Sequence, residues 1–254
     1  MFRSAIGMLA FVLVFTFIGC ENKRERKSEN IVTSPAEGDT EEHSVQFYTY
    51  TEHSDYPDAI LEMYSPLGNQ NFSSTKVPFE FNVKNYPFGE KGMGFQLKMI
   101  LNGNDPIGYN MPIFQKELNQ GTYRAVAYLV DEEGLALKEF GNYVDRDFRV
   151  MDSQPFPEND EPFMILNLPL NGQEYGEGEE VIVDFMVLDG ELQSDGYKVK
   201  IKLNGYEFTT DEMEPIRVDQ LPAGEYDLEV GLIKADGSDL EGVFTSARKQ
   251  IKVN

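Results

Sequence analysis

The body of this chain contains an internal repeat with a nearly constant spacing. Five blocks of its first half return in the same order in its second half, and Tyr123 and Tyr226 of the fourth pair are 103 positions apart. Val150 and Val253 of the fifth pair are also 103 positions apart. A period of this size is too long for the unit of a solenoid and is typical of a duplicated domain. The paired blocks are 66–70 with 169–173, 77–83 with 181–187, 95–103 with 197–205, 118–123 with 221–226, and 148–150 with 251–253.

Both copies alternate apolar and polar residues with the period of a β-strand. Every second position of 77–83 and 95–101 is apolar, as is every second position of 181–187 and 199–203 in the second copy. Such alternation is typical of strands with one buried face. Counting these runs gives about seven short strands per copy, as in an immunoglobulin-like sandwich. No amphipathic helix is predicted outside the N-terminal leader.

A tyrosine motif supports this fold and carries a resemblance. Leu-x-x-Gly-x-Tyr ends at Tyr123 in the first copy and at Tyr226 in the second. It resembles the tyrosine corner of immunoglobulin and fibronectin type III domains, in which the tyrosine hydroxyl bonds to the backbone a few residues upstream. The resemblance covers roughly residues 58 to 254 and implies structural roles for both tyrosines. The chain has no tryptophan and a single cysteine, so it departs from antibody domains.

We therefore predict an all-β protein with two tandem immunoglobulin-like β-sandwich domains. The first domain is expected at 58–152, a linker at 153–162 and the second domain at 163–254. We expect a signal peptide at 1–19 and a flexible tether at 20–57 before them. The tether is predicted because its residues are rich in Ser, Thr, Glu, Pro and Gly.

One stretch of the tether departs from this composition. Val45, Phe47 and Thr49 alternate with Gln46, Tyr48 and Tyr50, which favours a short strand. We expect this strand to add to the edge of the first domain.

The N-terminal leader ends at the only cysteine of the chain. Arg3 provides a positive start, 5–17 is almost wholly apolar, and Gly19 is the small residue before Cys20. This apolar run is shorter than the roughly 20 residues that span a membrane, although a membrane helix and an ordinary secretory signal remain alternatives. The segment 17–20 resembles the lipobox of bacterial lipoprotein precursors. The resemblance implies cleavage before Cys20 and a membrane anchor through acyl chains such as palmitate on its thiol.

The whole chain is similar to lipoproteins of Bacteroidota-type bacteria that carry tandem immunoglobulin-like modules. This resemblance implies a cell-envelope protein held at the outer membrane, with the periplasmic or surface side left open. The chain has 44 Asp and Glu against 22 Lys and Arg, a formal net charge of −22. Nucleic acid is therefore not an expected partner, because phosphate binding needs clustered cations.

Catalysis is not expected from the residue types in the two repeats. The only histidines are His43 and His53, and both lie in the predicted tether. A histidine-assisted nucleophile and a histidine-ligated zinc therefore lack their histidine in the domains. Paired carboxylates for glycoside hydrolysis exist by residue type, but they need a cleft that a small sandwich seldom supplies. We predict that the protein is not an enzyme and needs no organic cofactor.

Candidate binding residues lie where the two copies differ. The loop after the second strand of the first copy contains Tyr86 and Phe88, and exposed aromatic residues stack on sugars or peptide partners. In this fold that loop shares one end of the sandwich with Glu132 and Glu133. The alternative interpretation is that Tyr86 or Phe88 caps the end of the sandwich.

The linker offers a weak calcium candidate. Glu158, Asp160 and Glu161 superficially resemble the acidic junctions of cadherins, but calcium wants six to eight oxygen ligands and a solvated linker is the alternative. Three functional hypotheses follow. The first is a lipid-anchored, non-catalytic binding or assembly module that presents two immunoglobulin-like domains to a protein partner. The others are a glycan-binding accessory of a polysaccharide-uptake system and a calcium-rigidified adhesion module.

Overall fold

The computed structural model describes residues 26–33, 44–50, 56–89, 96–157 and 161–254, so the predicted signal peptide and Cys20 lie outside them. Within these ranges regular structure is almost entirely β, as the all-β prediction has it. No helix among the described residues is long and apolar enough to cross a membrane. The elements are β1 Arg26–Thr33, β2 Ser44–Tyr50, β3 Ile60–Ser65, β4 Gln70–Phe72, β5 Lys76–Lys84, β6 Leu97–Leu101, β7 Ile107–Tyr109, β8 Ile113–Glu117, β9 Gly121–Leu129, β10 Tyr143–Val150, β11 Phe163–Leu168, β12 Gln173–Tyr175, β13 Val181–Leu188, α1 Leu192–Asp195, β14 Lys198–Leu203, β15 Tyr206–Thr210, β16 Ile216–Asp219, β17 Gly224–Ile233 and β18 Ser246–Val253.

The first domain is a sandwich of two sheets around one apolar core. The sheet β3-β5-β8 packs against the sheet β4-β10-β9-β6-β7, and Phe79, Leu97 and Phe148 are fully buried between them. The domain has eight strands where about seven are predicted, because its first strand is divided. The division falls at Pro66, after which the chain leaves β5 and pairs in parallel with β10.

The second domain repeats this arrangement strand for strand. The strands β11-β13-β16 correspond to β3-β5-β8, and β12-β18-β17-β14-β15 corresponds to β4-β10-β9-β6-β7. The divided first strand recurs at Pro169, where the peptide bond is cis as it is at Pro66. The prediction of two tandem immunoglobulin-like sandwiches is confirmed, and the repeat in the sequence is a repeat of structure.

The two motif tyrosines each brace a turn of their own domain. The Tyr123 hydroxyl donates to the carbonyl of Asn119 at 2.9 Å, and the Tyr226 hydroxyl donates to the carbonyl of Pro222 at 2.7 Å. Both bonds reach back four residues, as the resemblance to the tyrosine corner implies. Each bond fixes the entry of the chain into the central strand β9 or β17.

The N-terminal strands belong to the second domain. β2 pairs with the edge strand β16, Phe47 lying opposite Val218, and β1 then pairs with β2. The expectation that this strand adds to the first domain is wrong. Two parts of the predicted tether are therefore paired strands, and we call β1 and β2 together the N-terminal hairpin.

The physical reason for this choice of edge lies in the side chains that meet the hairpin. Phe47 is fully buried and stacks in parallel on Phe208 of β15, with the ring centroids 5.3 Å apart. Its cross-strand partner Val218 is opposite Val181 of β13. At the same place in the first domain, Val77 of β5 is opposite Lys116. An apolar strand gains more by covering a valine than by covering a lysine, because burying the ammonium is costly.

The two domains also pack directly against each other, face to face. A third apolar cluster joins β6 and β9 of the first domain to β11 and β13 of the second. The side chains of the consecutive residues 125–130 alternate between two apolar clusters. Ala125, Ala127 and Leu129 point into the core of the first domain. Val126, Tyr128 and Val130 point into this interface. The domains therefore form a fused pair instead of two separate modules. The cluster contains Ile100, Val126, Tyr128, Val130, Ala136, Phe163, Ile165, Met186 and Leu188.

Removing the Phe47 ring should destabilise the second domain. We expect Phe47→Ala to lower the free energy of unfolding by about 3–5 kcal/mol, because it leaves a cavity against Phe208. Urea denaturation of the variant measures the change. Phe140→Ala is the matched control, since this ring is 98% exposed and should change stability by less than about 0.5 kcal/mol. Equal values for the two variants would show that the hairpin is not docked.

Candidate binding cleft between the domains

A recess described in the structure lies where the two domains and the hairpin meet. It is an open cleft of about 490 Å³. Its walls come from the loop 131–139 of the first domain, from 191–193 and 211–215 of the second, and from Lys27 of β1. Both domains and the N-terminal hairpin therefore have to assemble before the cleft exists.

The loop 131–139 is held in a fixed shape by its first residue. The Asp131 carboxylate accepts the backbone N–H groups of Glu133 at 2.9 Å and Leu135 at 2.8 Å through one oxygen. Beyond this turn, Ala136 forms an isolated β-bridge with Val130. Burial raises the pKa of the Asp131 carboxyl above its ordinary value, and the two backbone bonds oppose that shift. The loop is thus an ordered extension of β9, not a loose connection.

Asp184 of β13 joins the two domains beneath the cleft. Its carboxylate is fully buried and accepts the backbone N–H of Ala136 at 2.8 Å and the side-chain amide of Asn167 at 2.7 Å. The Lys138 ammonium lies 2.7 Å from its other oxygen and also donates to the carbonyl of Met213. The loop of the first domain is therefore held to the second by a buried charge pair and its hydrogen bonds.

Asn167 of β11 connects this network to further residues of the first domain. Its side-chain oxygen accepts the Tyr128 hydroxyl at 2.9 Å and the Lys98 ammonium at 3.0 Å, while its amide also donates to the carbonyl of Gly134 at 2.8 Å. Burial lowers the pKa of Lys98 and raises the pKa of Tyr128. Every polar side chain of this network is thus engaged across the interface, as buried polar groups require.

The rim of the cleft is strongly acidic. Lys27 pairs with Glu212 at 2.9 Å and with Glu214 at 3.4 Å, and the hydrogen bond that its ammonium donates to Glu212 is the main cause that raises the pKa of Lys27. Lys138 is paired with Asp184 below the rim. The two lysines therefore leave an excess of negative charge at the mouth. The acidic lining residues are Asp131, Glu139, Glu191, Asp211, Glu212 and Glu214.

Part of the wall of the cleft is apolar. Leu135, Leu137 and Leu192 are buried beside Met213 and Pro215, which also line the cleft. An apolar wall below carboxylates suits a long cationic side chain, because its methylene groups can pack while its charge stays at the rim. The Lys27 ammonium occupies part of this rim, beside Glu212 and Glu214.

The predicted aromatic residues cap the first domain. The Tyr86 hydroxyl donates to the carbonyl of Val130, and its ring packs edge to face on Tyr56 with centroids 4.9 Å apart. Tyr86 and Phe88 both pack, partly buried, on the core of the first domain. The structure therefore places these two rings as the capping interpretation has it. The bond to Val130 also brings this loop beside the start of the loop that carries Glu132 and Glu133.

The two predicted glutamates take different positions. Glu132 is exposed, whereas Glu133 lies 3.5 Å from Arg217 of the second domain. The Arg217 guanidinium also lies over the ring of Tyr50, 4.9 Å from its centroid. Glu133 thus bridges the domains next to the cleft, through an arginine that is only 7% exposed in its side chain.

The calcium candidates are mostly outside the described residues. Glu158 and Asp160 belong to the part of the linker that is not described, and Glu161 is exposed. Among the described residues, no group of three or more Asp, Glu, His or Cys side chains is arranged to hold a metal ion. Calcium binding at the linker stays a prediction.

Sequence reasoning missed the cleft, although two signals for it were present. The unbroken apolar run 125–130 indicates a strand buried on both faces, which a domain exposed on one side does not have. Asn167 and Asp184 stand within otherwise apolar strands, where a polar residue needs a buried partner. Together these signals indicate a second buried surface with polar contacts, but they do not say which domain face supplies it.

No protein-family model matches the chain, and no curated protein matches it. Among solved structures, the fibronectin(III)-like modules of Clostridium thermocellum CbhA show 14% identity and a TM-score of 0.29, over 77% of this chain and 94% of theirs. The Bacteroides ovatus mixed-linkage glucan utilization locus protein SGBP-B, in complex with a mixed-linkage heptasaccharide, shows 12% identity and a TM-score of 0.23 over 77% of this chain. This chain spans about half of that protein, 47% of its length.

The three N-terminal domains of the bacteriophage RB49 outer capsid protein Hoc show 12% identity and a TM-score of 0.22, over 77% of this chain and 69% of theirs. At such identities and TM-scores these resemblances carry no argument about function. The fold assignment rests on the strand order of the two domains.

Removing the buried carboxylate should uncouple the domains. We expect Asp184→Ala to lower the free energy of unfolding by about 3–5 kcal/mol, because it leaves the Lys138 charge and two amides without their acceptor. The double variant Asp184→Ala with Lys138→Met should recover part of this loss, since no unpaired charge remains. Urea denaturation measures all variants, with the exposed Glu177→Ala as control. A cost below about 1 kcal/mol for Asp184→Ala would contradict the role of the network.

Proposed function

We propose that this protein is a lipid-anchored, non-catalytic module of the cell envelope that holds a basic segment of a protein partner in the cleft between its domains. The acidic, apolar-walled cleft of about 490 Å³ is the observation that carries this proposal. The acylated Cys20 would supply the anchor, and the two fused sandwiches would supply a rigid body for the cleft.

The charge of the chain supports a cationic partner. A formal net charge of −22 attracts basic segments over a distance, and carboxylates around a recess with low-dielectric walls concentrate this field at the mouth. Lys27 gives a concrete example of the contact, since its ammonium lies between two carboxylates of the rim. A lysine or arginine of a partner would use the remaining carboxylates in the same manner, with its apolar stem on Leu135 or Leu192.

The groups with perturbed pKa values support binding over catalysis. Lys98 and Tyr128 are held in the network around Asn167, and Asp131 holds its own loop. In each case the polar atoms are used to join or shape the domains. The glycan alternative depended on Tyr86 and Phe88 as a stacking platform, and both rings pack on the core of the first domain. The acidic lining of the cleft in turn favours a basic protein segment over a neutral sugar chain.

A charge-removal experiment tests this proposal. The mature chain with Cys20→Ser is titrated with a Lys- and Arg-rich peptide of about ten residues, with its Glu-substituted counterpart, and with soluble polysaccharides; fluorescence anisotropy or calorimetry reports binding. We expect Glu139→Gln with Glu191→Gln to weaken the basic peptide by about tenfold, because it removes two charges of the rim beyond the two that Lys27 contacts. Glu174→Gln with Glu225→Gln is the matched control, since it removes the same charge away from the cleft. Equal affinities of the two double variants would refute the cleft as the site.

Acid should also weaken the peptide. The carboxylates attract a cation only while they are ionised, and burial raises the pKa of Asp131, so its charge is lost at a higher pH than that of an exposed Asp. Affinity should therefore fall as acid protonates these carboxylates, and added salt should weaken it as well. Binding that is constant over this pH range would argue against carboxylate recognition. Tight binding of a polysaccharide instead would favour the glycan alternative.

A further inference from the structure

We infer that the N-terminal hairpin holds the cleft at the membrane surface, so that the cleft takes a basic segment of a partner lying at that same surface. This inference rests on the lipid anchor of the proposed function. It replaces the long leash suggested by the composition of residues 20–57 with a short one, and it specifies where the partner segment has to be.

The length of chain between the anchor and the first strand sets the first limit. β1 begins at Arg26, six residues after Cys20. Fully extended chain spans about 3.3–3.6 Å per residue, so the anchored cysteine lies within about 22 Å of the start of β1 in any conformation. A free leash from Cys20 to residue 57 would instead have a root-mean-square span of about 33 Å and a full reach above about 120 Å.

The docking of the hairpin decides which of these lengths applies. β1 pairs with β2 along its length, and β2 pairs with β16. Val45 and Phe47 of β2 are fully buried in the core of the second domain. Releasing the hairpin would expose both side chains and the edge of β16, which opposes a free leash. The membrane anchor is therefore attached to the second domain first, although the first domain follows it in the chain.

The register of the hairpin places the anchored end beside the cleft. The Arg26 end of β1 pairs with Tyr50, and Tyr48 pairs with Arg217, one residue beyond the start of β16. The segment 211–215 that lines the cleft leads directly into that start. Lys27, seven residues after Cys20, touches the acidic rim at Glu212. The backbone of Lys27 therefore lies within about 25 Å of the acylated Cys20. The rim is farther away by at most the length of the lysine side chain.

This placement selects the partner. An acidic rim near an anionic lipid surface is repelled by the head groups, so lipid itself is a poor occupant of the cleft. A basic protein segment next to the bilayer is attracted both by the lipid surface and by the rim, and it is concentrated there. The occupant is therefore a cationic segment of a protein held at the same membrane, close to the bilayer surface.

Two insertions of the same Gly-Ser sequence test the length of the leash. One is placed between Asn22 and Lys23, before β1, and the other between Gly38 and Asp39, in the connection between β1 and β2. A free segment of about 20 residues has a root-mean-square span of about 25 Å by itself. The acylated full-length protein is reconstituted in lipid vesicles with Ser194→Cys, an exposed position beside the cleft, carrying a donor dye. Energy transfer to acceptor-labelled lipid reports the height of the cleft above the bilayer.

The insertion before β1 should remove more than half of the energy transfer, and the insertion between the strands should leave it unchanged. Equal effects of the two insertions, whether large or absent, would overturn the inference, because a free leash does not distinguish them. Mass spectrometry of the N-terminal peptide checks the anchor separately, and a Cys20 without acyl chains overturns both the anchor and this inference. Affinity of each insertion variant for the basic peptide in solution should be unchanged, so a failure of the cleft as a binding site is seen independently.

Discussion

The fused shape of this protein depends on one buried carboxylate. Asp184 is wholly removed from solvent on a strand of the second domain, and the groups that compensate its charge come largely from the first domain. A buried ion pair adds little net stability over apolar packing, but any arrangement that leaves its charge buried and unpaired is strongly destabilised. Sliding or rotating the domains would separate Asp184 from Lys138 and Ala136. The network thus selects one arrangement of two surfaces that apolar contact alone would hold less specifically.

The fold of each domain was accessible from the sequence because its causes are local or repeated. Alternation around Phe79 and Phe185 identifies strands, and the motifs ending at Tyr123 and Tyr226 identify a turn whose hydrogen bond spans four residues. Each signal occurs twice at one spacing, which separates it from chance. The divided first strand was not foreseen, since nothing in an alternation pattern says where a strand changes sheets.

The candidate site was not accessible in this way, because it depends on contacts between distant parts of the chain. Phe47 could cover either edge strand as far as its own alternation shows, and the choice lies in Val218 against Lys116. The sequence left Tyr86 and Phe88 open as binding residues or as caps of the sandwich, and both pack on the core of the first domain. The cleft itself needs four segments that are separated in sequence. The sequence shows the charges of these segments but not that they meet.

The contact between the domains joins unlike faces, since the first domain uses β6 and β9 while the second uses β11 and β13. A contact of this kind can in principle add further copies head to tail without closing. Two faces do not take part in this contact, namely β3 and β5 of the first domain and β14 and β17 of the second, and both carry charged residues that oppose such addition. On the face of the first domain that corresponds to β11 and β13, Glu62 and Lys84 are paired at 2.9 Å. On the face of the second domain that corresponds to β6 and β9, Lys202 and Glu229 are cross-strand partners. Charged side chains on these two faces oppose the addition of further copies through the same contact.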